Sequence, residues 1–426
     1  MKLKLLVVAS MSAGLISSAA FADTDATAPA KHKHHKKMHK SHHVAQSHDY
    51  KAMGGLAVQP TPVMESNAVD MYTAIYDSMG QNANRGKAMP DWFNRIGVSG
   101  GVNFDAHWGN RSLDYQGENS QRVALNDAYL NATASVNDWT KAFVGFSFNS
   151  ASEAYSAAYT NNRLDLEQGY ITIANYDVSP VFFQIGKQFT DFGRYNIHPM
   201  TESMTQVLSE SLQTSAKLGF ITQMGLHGQV YAFDNKSQQL SENHTKTVYG
   251  AAIGFEQPSD QLGYDVGIGY MSNMTGVNAV NQAVPFFVHT VGAIAVYGDV
   301  NSGPFNVSAR YTTALQHFNP NDLSTQAGLT GSGLSGARPW AADFAAGYGY
   351  NAMGKNQNVY LGYQTSNNAV SLGLPKHRYL IGLGVDAWKN TSLGVEVAHD
   401  KAYSSGNNGT GKSSNTIGAR ASVKFG

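Results

Sequence analysis

Cysteine is absent from the 426 residues, so no disulfide framework can hold an exported form of this chain together. Beyond the N-terminus there is no unbroken apolar run of about 20 residues, which excludes membrane-spanning helices. Charge is scarce too. Only 14% of residues are Asp, Glu, Lys or Arg, against about 25% in an ordinary soluble protein, a deficit that suits a surface facing lipid over much of its area. No Gly-x-Ser-x-Gly elbow, His-Glu-x-x-His helix or phosphate-cradling loop is present, so no enzyme is indicated. Nothing points to nucleic acid.

What is abundant is glycine, tyrosine and phenylalanine (43, 22 and 19 residues), arranged with period two. In the last stretch Ile417, Ala419, Ala421, Val423 and Phe425 alternate with Gly418, Arg420, Ser422 and Lys424, an oily face and a wet one. From residue 94 onward Ile96, Val98, Val102, Phe104, Ala106 and Trp108 do the same. Each such segment is long enough to cross about 25 Å of hydrocarbon when tilted. Short turns fall near 137–139, 176–180, 221–224, 257–260, 299–304, 351–356 and 388–390. Between them lie long polar loops near 109–120, 149–162, 190–207, 234–244, 272–285, 316–338, 365–376 and 401–413. Seven turns and eight loops join about sixteen strands. The expected fold is therefore all-β: a transmembrane antiparallel up-and-down barrel over residues 93–426, its last strand paired with its first, with short turns in the periplasm and long loops outside. Trp108, Trp139, Trp340 and Trp388 fall near strand ends, where aromatic girdles belong.

The chain begins as a secretory precursor does. Lys2 and Lys4 precede an apolar core over 5–16 and a small-residue site, Ala20-Phe21-Ala22, so residues 1–22 are expected to be a signal peptide cleaved after Ala22. With the barrel pattern this places the chain in a Gram-negative outer membrane. Its expected partners there are outer-membrane lipid and lipopolysaccharide, together with the barrel-assembly machinery during insertion. Residues 23–92 read as a mostly disordered periplasmic extension, with one short helix over 66–80 marked by Val69, Tyr72, Ile75, Tyr76 and Met79. Within it His32, His34, His35, His39, His42, His43 and His48 stand among lysines. Neutral imidazoles in this number offer a transition-metal site, although the spacing fixes no geometry and a solvated basic tether is the competing reading. No other cofactor is called for. The first 51 residues carry eight basic and three acidic groups, leaving 22 against 27 for the rest.

Assigning faces within strands gives candidate pore-lining residues. Arg310 and Asp343 point inward opposite Tyr311 and Phe344. Arg378 and Asp386 do so opposite Tyr379, Ile381, Leu383, Val385 and Ala387, and Glu396, Arg420 and Lys424 complete the set. Solvation or pairing with a neighbour across the wall is the default fate of each such charge.

One region is more specific. Gly186-Lys187-Gln188-Phe189-Thr190-Asp191-Phe192-Gly193-Arg194-Tyr195, followed by Pro199-Met200-Thr201-Glu202-Ser203-Met204-Thr205, resembles the LbtU family of siderophore porins. Pro375-Lys376-His377-Arg378-Tyr379-Leu380 and His399-Asp400-Lys401-Ala402-Tyr403 look like two further stretches of that family. The terminal Gly426 after Phe425 departs from its pattern, as does the His/Lys tract. The resemblance implies uptake of a ferric siderophore without a plug domain. Residues 190–207 are then expected to fold into the mouth, with Arg194, His198 and Glu202 at a constriction. Lys187, Arg194, Arg310, Arg378, Arg420 and Lys424 would attract a small anionic chelate, and Tyr195 would supply an amphipathic contact. The alternatives are a general or solute-selective diffusion porin and a surface adhesin whose Gly-rich loop at 330–333 meets a partner.

Overall fold

A computed structural model describes residues 96–425, except 111–118, 150–163, 177, 195–199, 223, 242–244, 258–261 and 327. The expected signal peptide, the expected extension with a helix over 66–80, and the seven histidines of the tract lie outside the described residues. So do Tyr195 and His198.

Strands make up about two thirds of the described residues. The first nine are β1 (Ile96–Asn110), β2 (Asn119–Ser135), β3 (Thr140–Asn149), β4 (Leu164–Ala174), β5 (Val181–Phe189), β6 (Leu212–Ile221), β7 (Leu226–Gln239), β8 (Thr245–Gln257) and β9 (Gly263–Met271). After the two-residue β10 (Phe286–Phe287) come β11 (Ala293–Ser302), β12 (Phe305–Ala314), β13 (Trp340–Ala352), β14 (Lys355–Asn367), β15 (His377–Trp388), β16 (Thr391–Lys401) and β17 (Ser413–Phe425). Sixteen of these pair antiparallel with their neighbours around a closed sheet. β10 only adds a parallel step beside Gln238 and Gln239 of β7. Closure occurs where expected, β17 running against β1 from Gly100↔Phe425 to Gly109↔Thr416. With no free edge, every ladder hydrogen bond is satisfied in the membrane without water.

The period-two pattern sorts the side chains. Phe104, Ile253, Phe344, Leu361, Ile381 and Val395 are exposed on the outside, where lipid covers them, whereas Asp105, Gln184, Asp343 and Glu396 are buried on the inside. Two local expectations need correction. Residues 234–239 are not loop: β7 continues through them by a bulge between Asp234 and Gln238. Ala387 is buried instead of facing lipid, because a bulge between Asp386 and Trp388 shifts the alternation by one and turns Trp388 outward, 67% exposed.

The largest apolar core sits inside the barrel. Phe192, Met204 and Leu208 from the segment after β5 pack with Val277, Val280 and Val284 of the loop after β9. Phe318 and Leu323 of the loop after β12 and Leu372 of the loop after β14 join them, against the inner wall formed by Tyr231, Phe233 and Met271. Two short helices belong to this filling, α1 (Met204–Val207), capped by the Ser203 hydroxyl, and α2 (Asn278–Ala283). A barrel of sixteen strands would otherwise enclose a wide aqueous lumen. Its own loops occupy part of it.

Candidate functional site: a lumen crossed by the 190–211 segment

Two glycines set the course of the segment that leaves β5. Gly186 has φ +141° with the backbone of Gly169 and Tyr170 against it, and Gly193 has φ +88° with Ser209 and Ala295 on either side. A side chain at either position would meet both strain and collision. These are the glycines of the Gly-Lys-Gln-Phe and Phe-Gly motifs: Gly186 lies within β5, still paired with β4 and β6, and Gly193 lies where the chain has left the wall for the lumen.

From there it is tied down at successive points. Its base is closed by the Thr190 amide donating to the Ser211 carbonyl at 2.8 Å. Lys217 of β6, wholly buried, donates to the Phe189 carbonyl at 2.5 Å and to Asp191 at 3.0 Å. Arg194 pairs with Asp265 of β9 at 2.5 Å and lies over the Tyr297 ring of β11, 4.7 Å from its centroid. Beyond the undescribed residues the segment reaches the far wall. Thr201 donates to Glu396 of β16, which also accepts from Tyr360. The Glu202 carbonyl accepts from Arg378 of β15 at 3.1 Å. Asp343 of β13 takes both the amide (2.9 Å) and the hydroxyl (2.6 Å) of Thr205. The return is fixed by Glu210, which accepts from Gln206 at 2.6 Å and from Asn278 at 3.3 Å. Buried carboxylates with paired donors make each tie directional and costly to break.

The basic residues singled out from sequence are mostly neutralised in place. One Nη of Arg310 donates to both oxygens of Asp299 at 2.9 Å, Arg378 holds Asp400 at 2.6 and 2.9 Å, and Arg420 holds its cross-strand neighbour Asp105 at 2.7 and 2.6 Å. Arg194 has Asp265. Lys187 corrects the expectation of a lumen cation: its register partners Gly169 and Thr214 put it on the outer face, where it donates to the Leu166 carbonyl at 2.7 Å, while Lys424 is partly exposed near the end of β17. The lumen wall therefore carries ordered dipolar pairs in place of a row of bare cations. Arg194 in particular is 8% exposed, which corrects the expectation of an open, anion-attracting group at the mouth. Asp265, Asp299, Asp400 and Tyr297 were not among the residues picked from sequence, although alternation alone puts the three aspartates inward. Between the 191–194 stretch and the inner wall lies a small pocket, partly open to solvent, lined among others by Arg194, His227, Gln229 and Tyr297.

Two carboxyls of the segment sit outside the spanning strands and titrate unusually. Burial, reinforced by Glu210 and opposed by Arg378, pushes Glu202 up to about 8, and burial pushes Glu210 up to about 7 against hydrogen bonds from Gln206 and Asn278. A carboxyl whose pKa is raised on folding favours the folded segment while protonated, and that contribution is lost as pH climbs through about 7 to 8. Raising the pH from 6 to 9 should thus add negative charge to the narrowed lumen and loosen the segment. The reversal potential across a salt gradient is expected to move toward cation selectivity over that interval, with a smaller shift in Glu202→Gln; a pH-independent potential would contradict the assignment.

No family model matches the chain. It is 26% identical over 333 residues to a UPF0422 protein of Coxiella burnetii, covering 73% of this chain and 69% of the relative. Over 336 residues it is 26% identical to the UPF0422 protein lpg2959 of Legionella pneumophila, covering 71% of this chain and 62% of that relative, so it spans less than two thirds of the Legionella protein. Among solved structures it is similar to the outer-membrane channel DcaP of Acinetobacter baumannii, with 15% identity and a TM-score of 0.54 over 78% of this chain and 97% of that one. It is also similar to Salmonella typhi OmpF in complex with daunomycin (12%, TM-score 0.52, 78% and 97%) and to Pseudomonas putida OprB (11%, TM-score 0.51, 78% and 94%). At these identities the likeness is one of fold. The closed sixteen-strand wall, oily outside and polar within, has the fold of these outer-membrane channels, and residues 190–194 and 200–211 of the chain itself lie inside it.

Proposed function

We propose that this barrel takes up ferric siderophore across the outer membrane without a plug domain. One observation carries the reading. The three stretches that resemble siderophore porins are far apart in sequence yet meet at a single place: Arg378, from the second, donates to the Glu202 carbonyl in the first and is clamped by Asp400 of the third. Family-like residues that converge inside the barrel, where the inward segment is tied to the wall, have the location expected of groups that select a cargo. A ferric chelate is bulky and polar, and ordered Arg–Asp pairs with hydroxyl and carboxamide neighbours offer it exchangeable hydrogen bonds without trapping it as an unpaired cationic row would. The test is uptake of radiolabelled ferric chelate under iron limitation. A deletion strain is expected to lose most of that uptake and regain it on complementation; uptake as fast as wild type would remove the reading.

The neutralised arginines favour a second reading, a solute-selective diffusion porin for small polar molecules. It is distinguished by uptake of unrelated solutes in liposome swelling, at rates that fall with solute size alone.

A further inference from the structure

Where the inward segment reaches the far wall, a sulfur meets an imidazole. One inward row of the sheet runs Gly382, Glu396, Gly418 and His107 across β15, β16, β17 and β1. Glu396 takes the hydroxyl of Thr201, which brings Met200, one residue earlier, over the next position of the row. That position is Gly418. A Cβ there would lie 3.3 Å from Nδ1 of His107 and 3.7 Å from the Met200 sulfur, so the two atoms face a common gap that the missing side chain leaves open.

The ring is oriented for coordination. Its other nitrogen, Nε2, stands 3.4 Å from Asp105, a buried carboxylate that Arg420 also holds. With the Nε2 proton directed at that carboxylate, Nδ1 keeps its lone pair toward Met200, and a carboxylate behind a ligating imidazole is the usual outer contact of a metal site. His107 is 37% exposed and Met200 is half-buried, so an ion in the lumen can reach both. The donors decide which ion. Among the described residues no three of His, Cys, Asp and Glu are grouped to hold a metal, which leaves the four-ligand demand of a zinc site unmet. One imidazole nitrogen and one thioether suit a soft ion instead.

We propose that His107 Nδ1 and the Met200 thioether form a binding site for a soft monovalent metal ion of the Cu(I) and Ag(I) class, which would pin the inward segment to β1. Neither residue enters the ferric-chelate reading, so each idea can fail without the other. The test observes Met200 itself, by nuclear magnetic resonance of the full chain in detergent micelles, isotope-labelled at its methionine methyl carbons. Silver nitrate in chloride-free buffer is the probe, and Met200→Leu assigns the signal. In wild type the Met200 methyl resonance is expected to move with added Ag(I) and to saturate. His107→Gln should lose that shift at silver concentrations that saturate wild type. Gly418→Ala keeps both ligands but sets a methyl group in the gap between them, and it should lose the shift as well. Heat-modifiable mobility reports whether each variant is a closed barrel. A wild-type signal that ignores Ag(I), or one that moves equally in His107→Gln, overturns the site and leaves Met200 a packing side chain. An equal response to zinc nitrate overturns the assignment to a soft ion.

Discussion

Removing both wall carboxylates that hold the inward segment, in Asp343→Ala/Glu396→Ala, should raise single-channel conductance several-fold. Asp343 is fully buried and serves the amide and hydroxyl of Thr205, while Glu396, 3% exposed, receives Thr201. Each hydrogen bond to a charged acceptor contributes about 1.5–3 kcal/mol, and the donors left behind have no replacement. The apolar contacts of Phe192, Met204 and Leu208 remain, so Asp343→Ala alone should loosen the segment and produce noisy, intermediate openings. Adding Leu208→Ala, at about 2–5 kcal/mol for a buried leucine, should complete the release. None of these changes touches the ladder that closes the barrel, so insertion is unaffected. Planar-bilayer recordings that show wild-type conductance in the double variant would mean that the segment does not limit the passage.

Charge reversal at Arg194 should be nearly as damaging, and for a local reason. The guanidinium is held between Asp265 and the Tyr297 ring in a site 8% exposed. In Arg194→Glu two carboxylates would share it, with a repulsion of about 4 kcal/mol at 4 Å and an effective dielectric of about 20. The 190–194 stretch should leave the wall, changing conductance and exposing the segment to protease. Because the pair is buried, the defect should persist in 1 M salt, where a long-range field would be screened within about 3 Å. The swap Arg194→Asp/Asp265→Arg should recover most of the wild-type behaviour. Recovery of the single variant by salt alone would instead make Arg194 a steering charge for passing anions.

These two effects could not have been derived together from the sequence. Alternation is a local property of each strand, so the sixteen strands, the closure of β17 on β1 and the inward positions of Asp343, Arg378, Glu396 and Arg420 were all legible residue by residue. That Arg420 has Asp105 as its partner is nearly legible too, once the last strand is paired with the first. Arg194 with Asp265, or Thr205 with Asp343, required knowing where a loop of irregular backbone goes after it leaves the wall, and no period encodes that. The interior apolar core was hidden for a related reason. Its residues lie in segments that read as polar loops, and single side chains such as Phe192, Val280, Phe318 and Leu372 make a cluster only when four loops converge. The bulge at Asp386 and Trp388 shows the limit even within strands, since one extra residue moved Ala387 to the opposite face.

The most direct measurement of the central claim is the steady current through the purified full chain in a planar bilayer, while ferric siderophore is titrated into the chamber on the side of the long loops. A passage narrowed by the 190–211 segment and fitted to a ferric chelate predicts a modest conductance interrupted by concentration-dependent blockades. The same chelator without iron should produce none, and the blockades should disappear in Asp343→Ala/Glu396→Ala. A large steady conductance, indifferent to the ferric chelate and unchanged in the double variant, would contradict it.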